Sequence, residues 1–263
     1  MSEGVIFAAL KHMPRYFLEL AYKGTNYSGF QVQDNAISIQ QEVERALGIF
    51  FRTSISLTGS SRTDGGVHAY QNFFHFDYEG DIEKKVLYNI NAILPADIAL
   101  KDIYAVAADA HCRFDAVSRA YRYYIYTDKD PFLDDRAYFF PYTLDWEKMR
   151  AAADMVLGFE DFTSFAKRNT QVKTFICRIY ESYWEREGKC WVYHVKANRF
   201  LRGMVRGLVG TMLQVGRGKI GVEEFEDILR RRDNQLADFS TPGHGLFLFQ
   251  VSFPVSVLPE NKL

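Results

Sequence analysis

One carboxylate is set apart by its neighbours. Asp64 stands in Ser61-Arg62-Thr63-Asp64-Gly65-Gly66-Val67-His68-Ala69, between an arginine and two glycines and just ahead of an aromatic run. Glycine takes positive φ and lets other backbone approach closely, so the turn after Asp64 is free to display the side chain rather than pack it. Arg62 and Asp64 are too close in sequence to pair as helical neighbours and are read as facing different partners. Asp-Gly on its own is a hairpin signal, and a hydrolase triad of Ser60 or Ser61 with Asp64 and His68 fails on its local spacing and the lack of a nucleophile elbow. A lone displayed acid has a narrower repertoire, namely nucleophilic attack or proton abstraction.

Charge marks a second region. The chain of 263 residues carries a net −1, with 10 basic and 14 acidic residues through Asp115 and 22 and 19 beyond it. Between Lys196 and Ile220 stand Lys196, Arg199, Arg202, Arg206, Arg217 and Lys219 with no acid, and Glu223, Glu224, Glu226 and Asp227 follow at once. A merely soluble surface interleaves its signs, so this run reads as a phosphate-binding stripe. Gly216-x-Gly218-x-x-Gly221 satisfies the dinucleotide pattern but follows a helical segment where that fingerprint needs a strand, and it is rejected. Cys112, Cys177 and Cys190 are odd in number and lack metal-ligand spacing, which points to reduced structural thiols. No run approaches the ~20 apolar residues of a membrane span, and Val5 to Leu10 is too short for a secretory signal, so the expected compartment is the cytosol.

The elements that must position these groups follow from periodicity. Alternation predicts strands at Arg15–Tyr22, Phe73–Tyr78, Ile98–Val106, Tyr121–Thr127, Ile176–Arg186, Cys190–Ala197 and Leu246–Ser252. Helical spacing predicts helices from a capping box at Ser38-x-x-Gln41, over 81–93, 145–157, 199–215 and 222–231. In the fourth, Leu201, Val205, Leu208 and Met212 form the apolar stripe, Arg199, Arg202 and Arg206 are expected on one face, and Gly203, Gly207 and Gly210 are expected to let the helix lie close on a sheet. Hairpins outnumber crossovers in the second half, so the expected class is α+β with mainly antiparallel sheets.

The nine-residue string resembles the Gly-Arg-Thr-Asp-Ala-Gly-Val-His-Ala signature of the TruA family of tRNA pseudouridine synthases, with Ser61 and Gly65 as departures. Further stretches resemble family blocks in the same order: Leu20 to Gln31 (with Lys23 and Phe30 substituted), Phe114 to Tyr123, Asp161 to Phe165, and Asn198 to Arg206. The likeness runs from about Arg15 to Phe253. It implies two ferredoxin-like α/β halves side by side, 1–115 with the catalytic loop and 116–263 with the base-stacking tyrosine and the basic helix, and a cleft between them. It further implies isomerisation of uridine to pseudouridine at positions 38, 39 and 40 in the anticodon arm of tRNA, by a homodimer whose cleft spans subunits.

No cofactor is needed, because the reaction breaks N1–C1′, turns the uracil and rejoins it through C5 without redox change. Asp64 is the implied catalytic acid, with attack on C1′, addition at C6 and abstraction of a ribose proton all open. A uridine in a stem must be extruded first, at a cost of a few kcal/mol. By resemblance Arg62 enters the vacated stack or holds the displaced backbone, Tyr121 stacks on the target base, Arg206 pairs with Asp64, and Leu246 walls the uracil pocket. Lys196, Arg199 and Arg202 are the expected RNA-backbone contacts, while His68 and His75 are read as structural.

Overall fold

The computed structural model describes residues 13–83, 85–167 and 172–258; the Val5 to Leu10 segment lies outside them. The first half runs β1 (Arg15–Tyr22), α1 (Ile39–Phe51), β2 (Thr58–Gly59), β3 (His68–Asp77), α2 (Lys85–Ile93), β4 (Ile98–Val106). The second runs β5 (Ser118–Tyr126), β6 (Tyr138–Phe139), α3 (Trp146–Val156), β7 (Ile179–Glu187), β8 (Cys190–Ala197), α4 (Met204–Gly216), α5 (Val222–Arg231), β9 (Leu246–Ser252). Ser38 caps α1 as its spacing demands, its Oγ accepting from Gln41 N at 3.2 Å.

All nine strands join one mixed sheet in the order β4-β1-β3-β9-β5-β8-β7, with β2 added to β3 and β6 to β5. Pairing is antiparallel except for β3 with β9 and β5 with β6. With the short β6 set aside, both halves run strand, helix, two strands, helical segment, strand, and lie in the sheet as β4-β1-β3-β2 and as β9-β5-β8-β7. The seam between the halves is short. Only His68 with Phe247 and Ala69 with Leu248 pair across it, while β2 holds the same strand further along at Phe74 and His75.

On the sheet of the second half, Tyr121, Tyr123 and Ile125 lie opposite Val195, Tyr193 and Trp191 and share a face with them. Helix α3 covers that face: Trp146 stacks on Trp191 at 3.9 Å between ring centroids, and Ser182 Oγ donates to Ala153 O at 2.7 Å. Helix α4 is buried over nearly its whole length, and Trp184 Nε1 reaches Met212 Sδ at 3.3 Å.

Helix α4 corrects the expected 199–215 span. It starts at Met204, because Gly203 takes φ +75° and ends helical geometry there. Arg199 and Arg202 thus stand in the preceding loop and share no helix face with Arg206. Its glycines also serve another neighbour than the sheet: a Cβ on Gly210 would sit 2.2 Å from Asp238 O, and one on Gly207 would sit 2.7 Å from the Phe239 ring. Helix α4 is gripped by the 238–239 segment.

Candidate active site

Asp64 occupies the loop between β2 and β3, and that loop is fixed from below by a buried polar network. Asn72 Nδ2 donates to Tyr22 OH at 3.1 Å and to Ser61 O at 3.2 Å, Ser60 Oγ donates to Asn72 Oδ1 at 2.8 Å, and Tyr22 OH lies 2.9 Å from Thr63 Oγ1. Buried polar groups that satisfy one another in this way hold one geometry, since any other leaves a donor unpaired. Phe30 N donates to Thr63 O at 3.1 Å and Gly66 N to Tyr27 O at 3.3 Å, so the 24–30 segment braces the loop from the side. At the turn itself Val67 N donates to Asp64 O at 3.2 Å, with Gly66 at φ +77°. Gly65 has no such φ, and a Cβ there would meet nothing nearer than 3.7 Å, so an alanine, as in the family signature, fits the same turn.

The second half supplies the other wall. Arg206, in the first turn of α4, brings Nη1 to 3.5 Å from Asp64 Oδ2; the side chains are 15% and 32% exposed, so the pair is sheltered while the carboxylate still opens to solvent. Its Nε donates to Thr241 O at 2.7 Å, and Thr241 Oγ1 donates back to Arg206 O at 2.9 Å. Tyr123 OH donates to Pro242 O at 2.8 Å and anchors the start of the 242–245 segment, whose Gly243 lies so near Gly65 that an added Cβ would be 2.3 Å from its carbonyl oxygen. His68 bridges the same join, accepting from Gly24 N at Nδ1 (3.1 Å) and leaving Nε2 to donate to His244 O at 3.0 Å. Burial holds its pKa down, and both ring nitrogens are occupied by backbone groups of the join.

Tyr121 and Leu246 are buried, at 9% and 6% exposure, on one face of the sheet: Tyr121 faces Leu248 on β9 and Tyr123 faces Leu246. Burial pushes the Tyr121 hydroxyl up to about 12, Arg119 opposes the shift, and the nearby Asp64 carboxylate adds to it. The phenol is therefore protonated at neutral pH. Its ring meets Phe200 edge-on at 4.9 Å between centroids.

Arg62 is exposed beside this site and belongs to a cluster. The Arg113 guanidinium has its pKa lowered by burial and then by the like charges of Arg62 and Arg199, so the three act on one another electrostatically. Arg119 underlies them, donating to the carbonyls of Ala116 (3.0 Å), Asn198 (3.3 Å), Ser60 (3.3 Å) and Arg113 (2.7 Å). Among the described residues it forms no ion pair with an acid. Like charges held side by side favour an anion between them, and guanidinium groups suit phosphate. Arg202 is exposed in the loop before α4. Lys196 is not brought to this group: it projects from the opposite face of β8, next to Val195, and its Nζ lies 3.3 Å from Glu181 Oε1. Arg113, Arg119 and Thr241 went unread in the sequence, since Arg119 and Thr241 act on backbone carbonyls, which leave no residue pattern.

A family model described as tRNA pseudouridine synthase matches residues 152–254, which include Arg206 and Leu246. A tRNA pseudouridine synthase A of Parabacteroides distasonis is 45% identical over 249 residues, covering 94% of this chain and 99% of its own. That of Bacteroides fragilis is 46% identical over 247 residues (92% and 98%), and that of Staphylococcus saprophyticus 39% over 240 (90% of each). The chain belongs to the tRNA pseudouridine synthase A family. An overlap as long as the first necessarily takes in Asp64 as well as Arg206, so membership of the tRNA pseudouridine synthase A family spans both walls of the site and not the second half alone.

Proposed function

We propose that this protein isomerises uridine to pseudouridine in tRNA, at positions 38, 39 and 40 of the anticodon arm, with Asp64 as the catalytic carboxylate. The observation that carries the reading is the Asp64–Arg206 pair: a carboxylate from one half and a guanidinium from the other, 3.5 Å apart and partly sheltered from solvent. The target nucleotide leaves its stack and enters between the halves, where Tyr121 stacks on the uracil and Leu246 walls it. Arg62 fills the gap left in the stem, and Arg199 and Arg202, joined by Arg113, hold phosphates. Arg206 keeps Asp64 ionised and aimed.

Asp64 acts at the junction of sugar and base. The N1–C1′ bond breaks, the uracil turns in place, and C5 bonds to C1′; the hydrogen displaced from C5 is matched by one gained at N1, so atoms and electrons balance. Enclosure matters because a freed base must neither diffuse away nor yield to water.

The repeated strand order of the two halves supports reading each, 1–115 and 116–263, as a ferredoxin-like unit, which is the plan of strand-helix-strand-strand-helix-strand motifs. Two copies of the chain form the working enzyme, in the cytosol. Pseudouridine mapping of unmodified tRNA after incubation with the purified protein tests the activity. Asp64→Asn is expected to abolish product while tRNA affinity stays within about threefold, the pattern of a group used in the reaction rather than in binding. Persistent product with Asp64→Asn, or modification confined to sites outside the anticodon arm, overturns the reading.

A further inference from the structure

The open face of the second-half sheet, opposite Tyr121, holds a group of donors with no part in the chemistry above. Glu185 and Glu187 are two apart on β7 and so point the same way, and His194 lies across from Tyr183 on β8, on that same face. The nearest donor atoms of the three all lie within 4.8 Å of one another. His194 Nε2 is 3.2 Å from Glu187 Oε1 and 3.8 Å from Glu185 Oε2.

The imidazole is the unusual member. His194 is 6% exposed, and its Nε2 is, among the described residues, the one buried side-chain nitrogen or oxygen without a directed hydrogen bond; Glu187 is near it but out of line. An unpaired buried polar atom costs on the order of 1–3 kcal/mol and calls for a partner. Tyr183 stacks flat on the ring, 4.6 Å between centroids and 4° between planes, which fixes where Nε2 points. Arg122 Nη1 lies 3.3 Å from Glu187 Oε1 while its guanidinium sits 3.6 Å over Phe249, so among the described residues the two carboxylates pair with one cation and one negative charge is left over.

We infer that Glu185, Glu187 and His194 form a binding site for a divalent transition-metal ion of the zinc class. One imidazole nitrogen and two carboxylate oxygens are a donor set zinc accepts, with a fourth position left for water. Zinc bonds of about 2.0–2.1 Å at tetrahedral angles put neighbouring donors about 3.3 Å apart. The observed 3.2 and 3.8 Å from Nε2 bracket that spacing, and all three donors, the two carboxylates included, lie within 4.8 Å of one another, so the exposed Glu185 side chain closes the remaining distance on binding. A bound ion would give Nε2 its missing partner and reverse the surplus charge. It would also tie β7 to β8 at an edge of the sheet, a structural role remote from Asp64.

The test uses the full-length untagged protein, stripped with a chelator and titrated with Zn²⁺ against a chromogenic competitor, with Co²⁺ absorption to report geometry. One Zn²⁺ per chain at micromolar affinity is expected, along with a tetrahedral Co²⁺ spectrum and a higher unfolding midpoint. His194→Gln and Glu185→Gln should each weaken binding tenfold or more. Asp64→Asn and His111→Gln should bind like the parent. Glu185 is 57% exposed, so its variant reports ligand loss even if His194→Gln folds poorly. Binding below half an equivalent, or affinity unmoved by Glu185→Gln, overturns the assignment; neither result touches the pseudouridine reading, which rests on other residues.

Discussion

Arg206 and Thr241 hold each other by two opposed hydrogen bonds, Nε to the Thr241 carbonyl at 2.7 Å and Thr241 Oγ1 to the Arg206 carbonyl at 2.9 Å. The guanidinium that faces Asp64 is therefore oriented by the segment after α5 as well as by its own helix. Arg206→Lys keeps the charge but loses the fork, and the single-turnover rate should fall about a hundredfold, the scale of losing one preorganised donor. Thr241→Val keeps the carbonyl and removes only the hydroxyl. A loss of about tenfold in that rate, with tRNA affinity little changed, is expected from one hydrogen bond. An unchanged rate in Thr241→Val would show that Arg206 does not depend on this contact for its orientation.

The cluster of Arg62, Arg113 and Arg199 should be visible in salt dependence. Each arginine changed to glutamine should weaken tRNA binding and reduce the slope of log affinity against log salt by about 0.7–0.9, the release expected for one phosphate contact. Lys196→Gln is the control, because Lys196 is paired with Glu181 on the other face. An unchanged slope in Arg113→Gln, measured by filter binding over several salt concentrations, would remove Arg113 from the interface.

Two glycines at the loop should respond oppositely to the same added methyl. Gly65→Ala meets ordinary space, and by narrowing the unfolded ensemble it should stabilise by about 0.4–1 kcal/mol with activity retained. Gly243→Ala drives a Cβ to 2.3 Å from the Gly65 carbonyl oxygen, and backbone must move. A destabilisation of about 1–3 kcal/mol and a lower turnover are expected. Urea unfolding with parallel assays of product formation separates the two outcomes.

Acid should loosen the protein early. Burial, then the charges of Arg15 and His111, hold the His75 pKa down to about 4, and burial lowers that of His68. Both pKa values are depressed below the ordinary histidine value of 6.5, so the unfolded chain takes up more protons in the window between. Stability is full above about pH 6.5 and declines as pH falls toward 4, by at most about 1.4 kcal/mol per pH unit for each histidine. Denaturant midpoints from pH 7.5 to 4.5 measure this. In His75→Gln the decline should be shallower.

How far the sequence carried the fold depended on pattern length. Strands β1, β4, β8 and β9 fall at their expected bounds because each alternates or bears its own turn signal. The two-residue strands β2 and β6 leave no period to read. Strand β3 begins at His68, five residues before its expected start, because over His68–Asn72 burial does not alternate: His68 and Ala69 are both buried, Tyr70 is exposed and Gln71 half-buried. The start of α4 was misplaced because Leu201 keeps helical spacing, while Gly203 at φ +75° breaks the backbone in a way periodicity does not record. At the site, Asp64, Arg206, Tyr121 and Leu246 were legible through resemblance. The contacts around them, Asn72 beneath the loop, Arg119 on four carbonyls and Thr241 behind Arg206, are made largely to backbone carbonyls, which carry no sequence pattern and depend on tertiary placement.

Strand β9 comes last in chain order among the described strands, yet it lies in the middle of the sheet, with β3 on one side and β5 on the other. Before it docks, the two halves have neither their shared backbone pairing nor the Gly243–Gly65 contact that closes the join. A nascent chain can complete β4-β1-β3 early and still present an edge at His68 and Ala69 with nothing beside it. Closure of the join is thus the last step of assembly, since Asp64 and Arg206 face each other across a seam that only β9 and the segment before it complete.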